Sequence, residues 1–261
     1  MIGFSRHDFR LLINLFKMNV RDRYLGSSLG SVWAITNPLF MLCLYTYVFG
    51  FVFKIRLPGA ETTLAYVIWL ISGLGPWNAS VEAIIGSTSS VVGASGMVKN
   101  MAFKTELLPM AGALVGLINL MVGLCFVLVL LLWSGSPITW HIILLPLIIG
   151  LQFAWAIALG MWLSVIAVFV RDLIQILPTL LTAIMFMTPI FYSLDNMPQA
   201  IRNITFANPF YQIAEGYRAI LIGNHVPDLW GVLYVFVIAS LVFYFGLIAF
   251  RRAKGSFDSA I

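Results

Sequence analysis

Six stretches of this chain, about 33–53, 62–81, 108–133, 141–170, 173–191 and 229–250, are apolar nearly throughout and carry no Asp, Glu, Lys or Arg in their central parts. A helix needs roughly 20 mostly apolar residues to cross the hydrocarbon core of a bilayer. The runs are continuous rather than alternating, so they read as helices and not as barrel strands. The rest of the chain cannot offset them: 61% of the residues are hydrophobic and 10% are charged, where a soluble domain carries about 25% charge. The sequence therefore predicts an all-α integral membrane protein with six transmembrane helices. A single transmembrane domain fills 1–261: a cytoplasmic interface segment over 1–32, a six-span bundle over 33–250 and a tail over 251–261. The fourth run is long enough to tilt, or to begin at the interface at His141 and bend at Pro146.

The distribution of Lys and Arg orients the bundle. Eleven of the fifteen flank one set of span ends (Arg6, Arg10, Lys17, Arg21, Arg23, Lys99, Lys104, Arg171, Arg251, Arg252 and Lys254), and four (Lys54, Arg56, Arg202, Arg218) lie on the other. Both termini are expected in the cytoplasm. The net charge of +5 does not point to nucleic acid, because the basic residues border apolar runs and form no basic domain. Cys43 and Cys125 lie within apolar runs, with neither metal spacing nor a disulfide framework, and read as small buried or lipid-facing residues. The first run of spanning length begins only near Trp33, after a charged stretch, which does not suit a cleavable signal peptide.

Three segments outside the spans are patterned. Over 4–23, Phe4, Phe9, Leu12, Leu15 and Phe16 alternate with Arg6, Arg10 and Lys17, as in a helix lying in the membrane interface. The loop 82–107 is too polar to span and too patterned for a linker. In 208–223, Phe210, Ile213, Ala214, Tyr217 and Leu221 share one helical face; this piece is too short to cross, so it should lie at the outer interface or dip in as a re-entrant element. Glu215 and Arg218, three apart, are placed to pair.

The sequence has no G-x-x-x-x-G-K-[ST] phosphate loop. His7, His141 and His225 form no metal motif, and neither a nucleophile elbow nor H-E-x-x-H occurs. Ion-coupled carriers place ionisable groups at membrane depth. Here Glu82 and Arg171–Asp172 are expected only at span ends, the latter as an interfacial ion pair or a functional contact. A transporter built this way would have to take its energy from a partner acting on the cytoplasmic loops.

The charged and Gly/Ser-rich stretch Arg21-Asp22-Arg23-Tyr24-Leu25-Gly26-Ser27-Ser28-Leu29-Gly30-Ser31-Val32-Trp33 precedes Asn37-Pro38. Later come Arg171-Asp172-Leu173, Thr188-Pro189-Ile190, and Asn208-Pro209-Phe210 with Glu215, Tyr217 and Arg218. In this order, over nearly the whole chain, these motifs resemble the membrane subunits of ABC-2 type polysaccharide exporters, the O-antigen permeases above all, with capsule and teichoic-acid exporters as relatives. The resemblance implies an inner-membrane homodimer joined to two copies of a separate ABC ATPase. ATP and Mg would belong to that partner, and none to this chain. It implies as substrate a polysaccharide on a polyprenyl pyrophosphate, moved from the cytoplasmic to the outer face. It also implies a coupling helix between spans 2 and 3, and short re-entrant or interfacial helices between spans 5 and 6.

On this likeness, Arg21, Arg23, Tyr24, Leu25, Gly26, Leu29 and Gly30 form a substrate gate that reads the lipid headgroup. Arginine suits phosphate because its planar fork donates two hydrogen bonds, and Gly26 and Gly30 allow a sharp turn. Positive-inside anchoring and a plain elbow would use the same residue types. Trp33, Phe40, Tyr45, Tyr47, Phe186 and Phe191 are candidates for an aromatic channel lining, since sugars stack on rings; an interfacial belt is the alternative for the tryptophans. Phe210, Glu215, Tyr217 and Arg218 would form the outer mouth, and Lys99 and Lys104 would meet the ATPase. Three other readings remain open here: an ABC-2 exporter of capsule, teichoic acid, drugs or another lipid, a membrane enzyme of lipid-linked glycan assembly, and a structural scaffold. Scattered acidic residues weigh against the enzyme.

Overall fold

The computed structural model describes residues 5–23, 29–54, 62–101, 103–194 and 198–257, which are helical with short connections and contain no strand. In chain order the helices are α1 (Arg6–Arg23), α2 (Trp33–Thr46, continued by a π-helical turn Tyr47–Val52), α3 (Thr63–Gly93), α4 (Ser95–Asn100), α5 (Leu107–Leu114) and α6 (Gly116–Trp133). They continue with α7 (Leu145–Phe169), α8 (Asp172–Met187), α9 (Gln199–Phe206), α10 (Pro209–Arg218, continued by a π-helical turn Ala219–Gly223) and α11 (Leu229–Ala253). Among the described residues, five helical stretches are long and apolar enough to cross a membrane: Trp33–Val52, Thr63–Gly93, Leu107–Trp133, Trp140–Phe169 and Leu229–Ser256. The fifth predicted run gives the shorter α8, 16 residues, or about 24 Å at 1.5 Å per residue. It stops at Met187, four residues before the predicted end, where Thr188 turns extended ahead of Pro189.

The largest departure from the sequence reading is α3. The boundary expected at residue 81 does not exist: the helix runs unbroken to Gly93, so Glu82 and the Ser/Thr stretch lie inside it. The hydroxyls of Thr88, Ser89 and Ser90 donate back to the carbonyls of Ile84, Ile85 and Ser87, which lets polar residues continue a packed helix. What remains of the loop 82–107 outside the long helices, among the described residues, is Ala94, the short α4, Met101 and residues 103–106. At the fourth run, a 3-10 turn over Trp140–Leu144 leads into α7 with Pro146 in its first turn, so the proline starts the helix instead of bending it.

α3 is the axis of the bundle, with 72% of its apolar window buried against 6% for α2. It packs along α7, α6 and α5, while α2 leans mainly on α6, and α8 touches α3 and α7. Small residues let α3 and its antiparallel partners approach closely. A Cβ at Gly112 would strike the Gly86 carbonyl, one at Gly116 the Ala79 carbonyl, and one at Gly123 would stand 3.2 Å from the Gly75 Cα. α1 docks Leu15 into a second apolar cluster with Val91, Leu107, Leu108, Met161 and Phe250. Cys43 and Cys125 are free and exposed on the outside of the bundle.

Candidate functional site

Two polar regions occupy opposite ends of the bundle. The basic end gathers α1, the 94–106 connection and the end of α11; the far end gathers the turn after α8, α9, α10 and the start of α11.

At the basic end, ion pairs join segments distant in sequence. Arg23, at the last position of α1, makes a two-pronged pair with Glu82 of α3, with Nη1 on Oε1 and Nη2 on Oε2 at 3.0 Å. Lys104 Nζ donates to Asp8 Oδ2 at 2.5 Å, and Arg251 Nε to Glu106 Oε1 at 3.1 Å. Lys254 Nζ donates to the Phe103 carbonyl. The Lys104 ammonium, with help from the Ser5 backbone N–H, holds the Asp8 carboxyl down at about 2. Arg21 and Lys99 are exposed. Gly30 adopts φ +51°, the left-handed turn that favours glycine, and Leu29 is exposed beside it. Tyr24, Leu25 and Gly26 lie outside the described residues. A cavity of about 680 Å³ opens between Arg23, Glu82, Asn19, Ser89, Ser90 and Gly96. Sequence reasoning left Asp8 out and placed Glu82 only at a span end; Lys104, expected to meet the ATPase, also ties α1 to the segment before α5.

The proposed aromatic residues divide into two sets. Trp33, Phe40 and Tyr47 recur every seven residues along α2 and its π-helical turn, and all are exposed. Tyr45 turns inward and stacks on Phe49 (6.4 Å), which meets Tyr66 (6.3 Å) and Phe191 (5.7 Å), while Phe186 stacks on Phe191 at 5.8 Å. These rings form one chain from α2 across α3 to the end of α8.

The far end is organised by α10, which does not lie on the surface. Tyr211, Ile213, Ala214, Gly216, Tyr217 and Arg218 are all buried against the rest of the bundle. Asn208 caps the helix by accepting from the Phe210 N–H (3.0 Å), and Pro209 starts it. The Arg218 guanidinium, 4% exposed, meets Glu215 Oε1 (2.7 Å) and the carbonyls of Pro189 (3.2 Å), Ile190 (3.0 Å) and Trp69 (3.4 Å). Its Cζ stands 3.6 Å from the centre of the Trp69 ring. Gly73 leaves the room: a Cβ there would come within 2.7 Å of Nη2. The same turn is held twice more, since Asn208 Nδ2 donates to Thr188 Oγ1 (2.8 Å) and the Tyr66 hydroxyl to the Phe191 carbonyl (2.9 Å).

Tyr217, fully buried, donates to Gln152 Oε1 of α7 at 2.6 Å, and Gln152 Nε2 donates in turn to the Pro76 carbonyl (2.8 Å) and Ser80 Oγ (3.0 Å) of α3. Phe210 meets Trp77 and Trp155 edge on, at 5.1 and 6.0 Å. The sequence motifs at 188–190 and 208–218 are thus parts of one assembly. Gln152 and Ser80, its other members, carry no signal in the sequence beyond being polar residues inside apolar runs.

Helices of this length and hydrophobicity around a buried polar clamp define a polytopic membrane protein. Residues 10–222 match the ABC-2 type transporter family, and the chain belongs to that family. Among curated proteins it is similar to the O-antigen export system permease protein RfbA of Myxococcus xanthus, 27% identical over 253 residues that cover 96% of this chain and 95% of the relative. It is also similar to a Klebsiella pneumoniae protein of the same name, 24% identical over 83% of this chain and 82% of the relative. The capsule polysaccharide export inner-membrane protein CtrC of Neisseria meningitidis is 22% identical over 94% of this chain and 92% of its own length.

Proposed function

We propose that this chain is the membrane permease of an ATP-driven exporter that carries lipid-linked polysaccharide, O-antigen on polyprenyl pyrophosphate, out across the inner membrane. The observation that carries the reading is the end-to-end similarity to O-antigen and capsule export permeases, over 96% of this chain for the Myxococcus xanthus relative. The lack of any phosphate-binding loop in the sequence fits a subunit whose ATP and Mg sit on a separate ABC ATPase. Two copies of the chain would line the path, with two ATPase subunits below. Span α2, whose apolar window is 6% buried, and the exposed side of α8 offer apolar faces for the second copy. The excess of Lys and Arg at the basic end supports placing it in the cytoplasm, with both termini. The exposed Lys99 on α4 would face the ATPase.

In this reading the headgroup enters beside α1. Arg21 meets the pyrophosphate first, and Arg23 exchanges Glu82 for phosphate oxygens as the gate of residues 21–30 opens. The Tyr45–Phe49–Phe191–Phe186 rings would line the glycan path farther out. Export of a capsule polysaccharide by the same machinery is the second reading, favoured by the similarity to CtrC.

The test is co-purification with the partner ATPase, then ATP turnover and glycan export for Arg21→Ala/Arg23→Ala and for the charge exchange Arg23→Glu/Glu82→Arg. The exchanged pair should restore assembly and ATP turnover without restoring export. Full export from the exchanged pair would reduce Arg23–Glu82 to a staple, and failure of any ATPase to bind would remove the exporter reading.

A further inference from the structure

The far end contains a second cavity that the export reading does not use. It encloses about 420 Å³ between Trp69, Phe206, Gln212, Glu215, His225 and Asp228, within the range of small-molecule sites. Arg218 and Tyr211 line it together with His225, and three further side chains present fixed acceptors. Glu215 Oε1 is held by Arg218, which leaves Oε2 without a bond among the described residues. Asp228 Oδ2 accepts from the Gly231 N–H as the cap of α11, which leaves Oδ1. Gln212 Nε2 donates to the Phe206 carbonyl at 2.7 Å, which leaves its amide oxygen as an acceptor. A Cβ on Gly231 would collide with that oxygen, so the glycine gives it room. His225 Nδ1 stands 3.0 Å from the Val226 carbonyl. The half-exposed ring of Phe206 sets an apolar wall, edge to face with Tyr211 at 5.6 Å.

Preset acceptors beside an aromatic wall call for a ligand with several hydroxyl donors and an apolar C–H face. Charge selects further. Glu215 is neutralised by Arg218, and Asp228 sits at a helix N-terminus, where the dipole offsets it. The pocket therefore favours a neutral donor over a cation, and no group of His, Cys, Asp and Glu among the described residues is placed to hold a metal. We propose that this cavity is a saccharide subsite, in which one sugar unit of the exported glycan donates its hydroxyls to Glu215, Gln212 and Asp228. This rests on the reading of the far end as the outer mouth. Weak capture there would hold each emerging segment while the next advances.

The experiment uses the full chain in lipid nanodiscs and, as probe, the source cell's own surface polysaccharide, released by mild acid and fluorescently labelled at its end. Saturable binding is expected, weakened about fivefold by Gln212→Leu and likewise by Asp228→Asn, which preserves the helix cap; that is the effect of one lost hydrogen bond. No saturable binding, or equal binding by both variants, overturns the proposal. Discs with and without phosphatidylethanolamine should bind alike; competition by that lipid would assign the cavity to a lipid ammonium instead. The binding assay needs no ATPase, so export that survives in variants without binding would remove the subsite alone, and binding by a chain that supports no export would remove the exporter reading alone.

Discussion

The two ends of this bundle are tied by opposite means. At the basic end, side chains from α1, α3, the segment before α5 and α11 pair with the basic partner still reached by solvent: the side chains of Arg23 and Lys104 are 43% and 39% exposed, while Asp8 and Glu106 are buried. At the far end one guanidinium, on the buried Arg218 side chain, closes on three backbone carbonyls and one carboxylate. Exposed pairs contribute about 0–1 kcal/mol each and weaken with salt; removing one partner from a buried cluster costs about 3–5 kcal/mol. The basic end is thus built to be rearranged, and the far end to hold its shape while the rest moves. That division suits a protein pushed by a partner at one end.

The sharpest way to break the contrast is Arg218→Met, which strands the Glu215 carboxylate and the Pro189, Ile190 and Trp69 carbonyls. Loss of about 3–5 kcal/mol is expected, read as a collapse of thermal stability in detergent. Arg218→Lys, with no fork, should recover only part of it. Tyr217→Phe comes next: the Gln152 amide oxygen loses its buried donor, and about 1–3 kcal/mol should go, by the same measurement. Glu82→Gln should change global stability by less than about 1 kcal/mol yet speed hydrogen exchange in the last turn of α1, and high salt should mimic it in the wild type.

The smallest effect is one of pH. Asp8, with an ordinary value of 3.8, is held at about 2 by Lys104. A carboxylate depressed on folding stabilises above its unfolded value and loses that contribution as pH falls through its folded one. The docking of α1 should therefore be constant above about pH 4 and weaken from there toward about 2. Amide exchange along α1 would follow it, and Lys104→Met should shrink the dependence to the part that Ser5 sustains.

Hydrophobic runs announced the helical membrane class, because long charge-free stretches admit few other structures. They misplaced the end of α3, because Ser and Thr can return their hydroxyls to their own helix and so look polar while packing as apolar residues do. The buried pairing of Glu215 and Arg218 was legible from their spacing on a short helix. Its true partners were not: three of the four acceptors are backbone carbonyls, which every residue possesses and no sequence pattern marks. Tyr45, Phe186 and Phe191 come together through Phe49, whereas Trp33, Phe40 and Tyr47 share residue type with them and face the other way, a matter of helix phase. Arg23 was conspicuous, but its tie to Glu82 depends on α3 continuing past its expected end.

The most direct test of the central claim is transport itself. Inside-out proteoliposomes holding this chain and the proposed ATPase should move externally added lipid-linked polysaccharide into a compartment protected from a glycan-cleaving enzyme, with ATP and not with a non-hydrolysable analogue. ATP-independent protection, or none while the assembled complex hydrolyses ATP, would contradict the account.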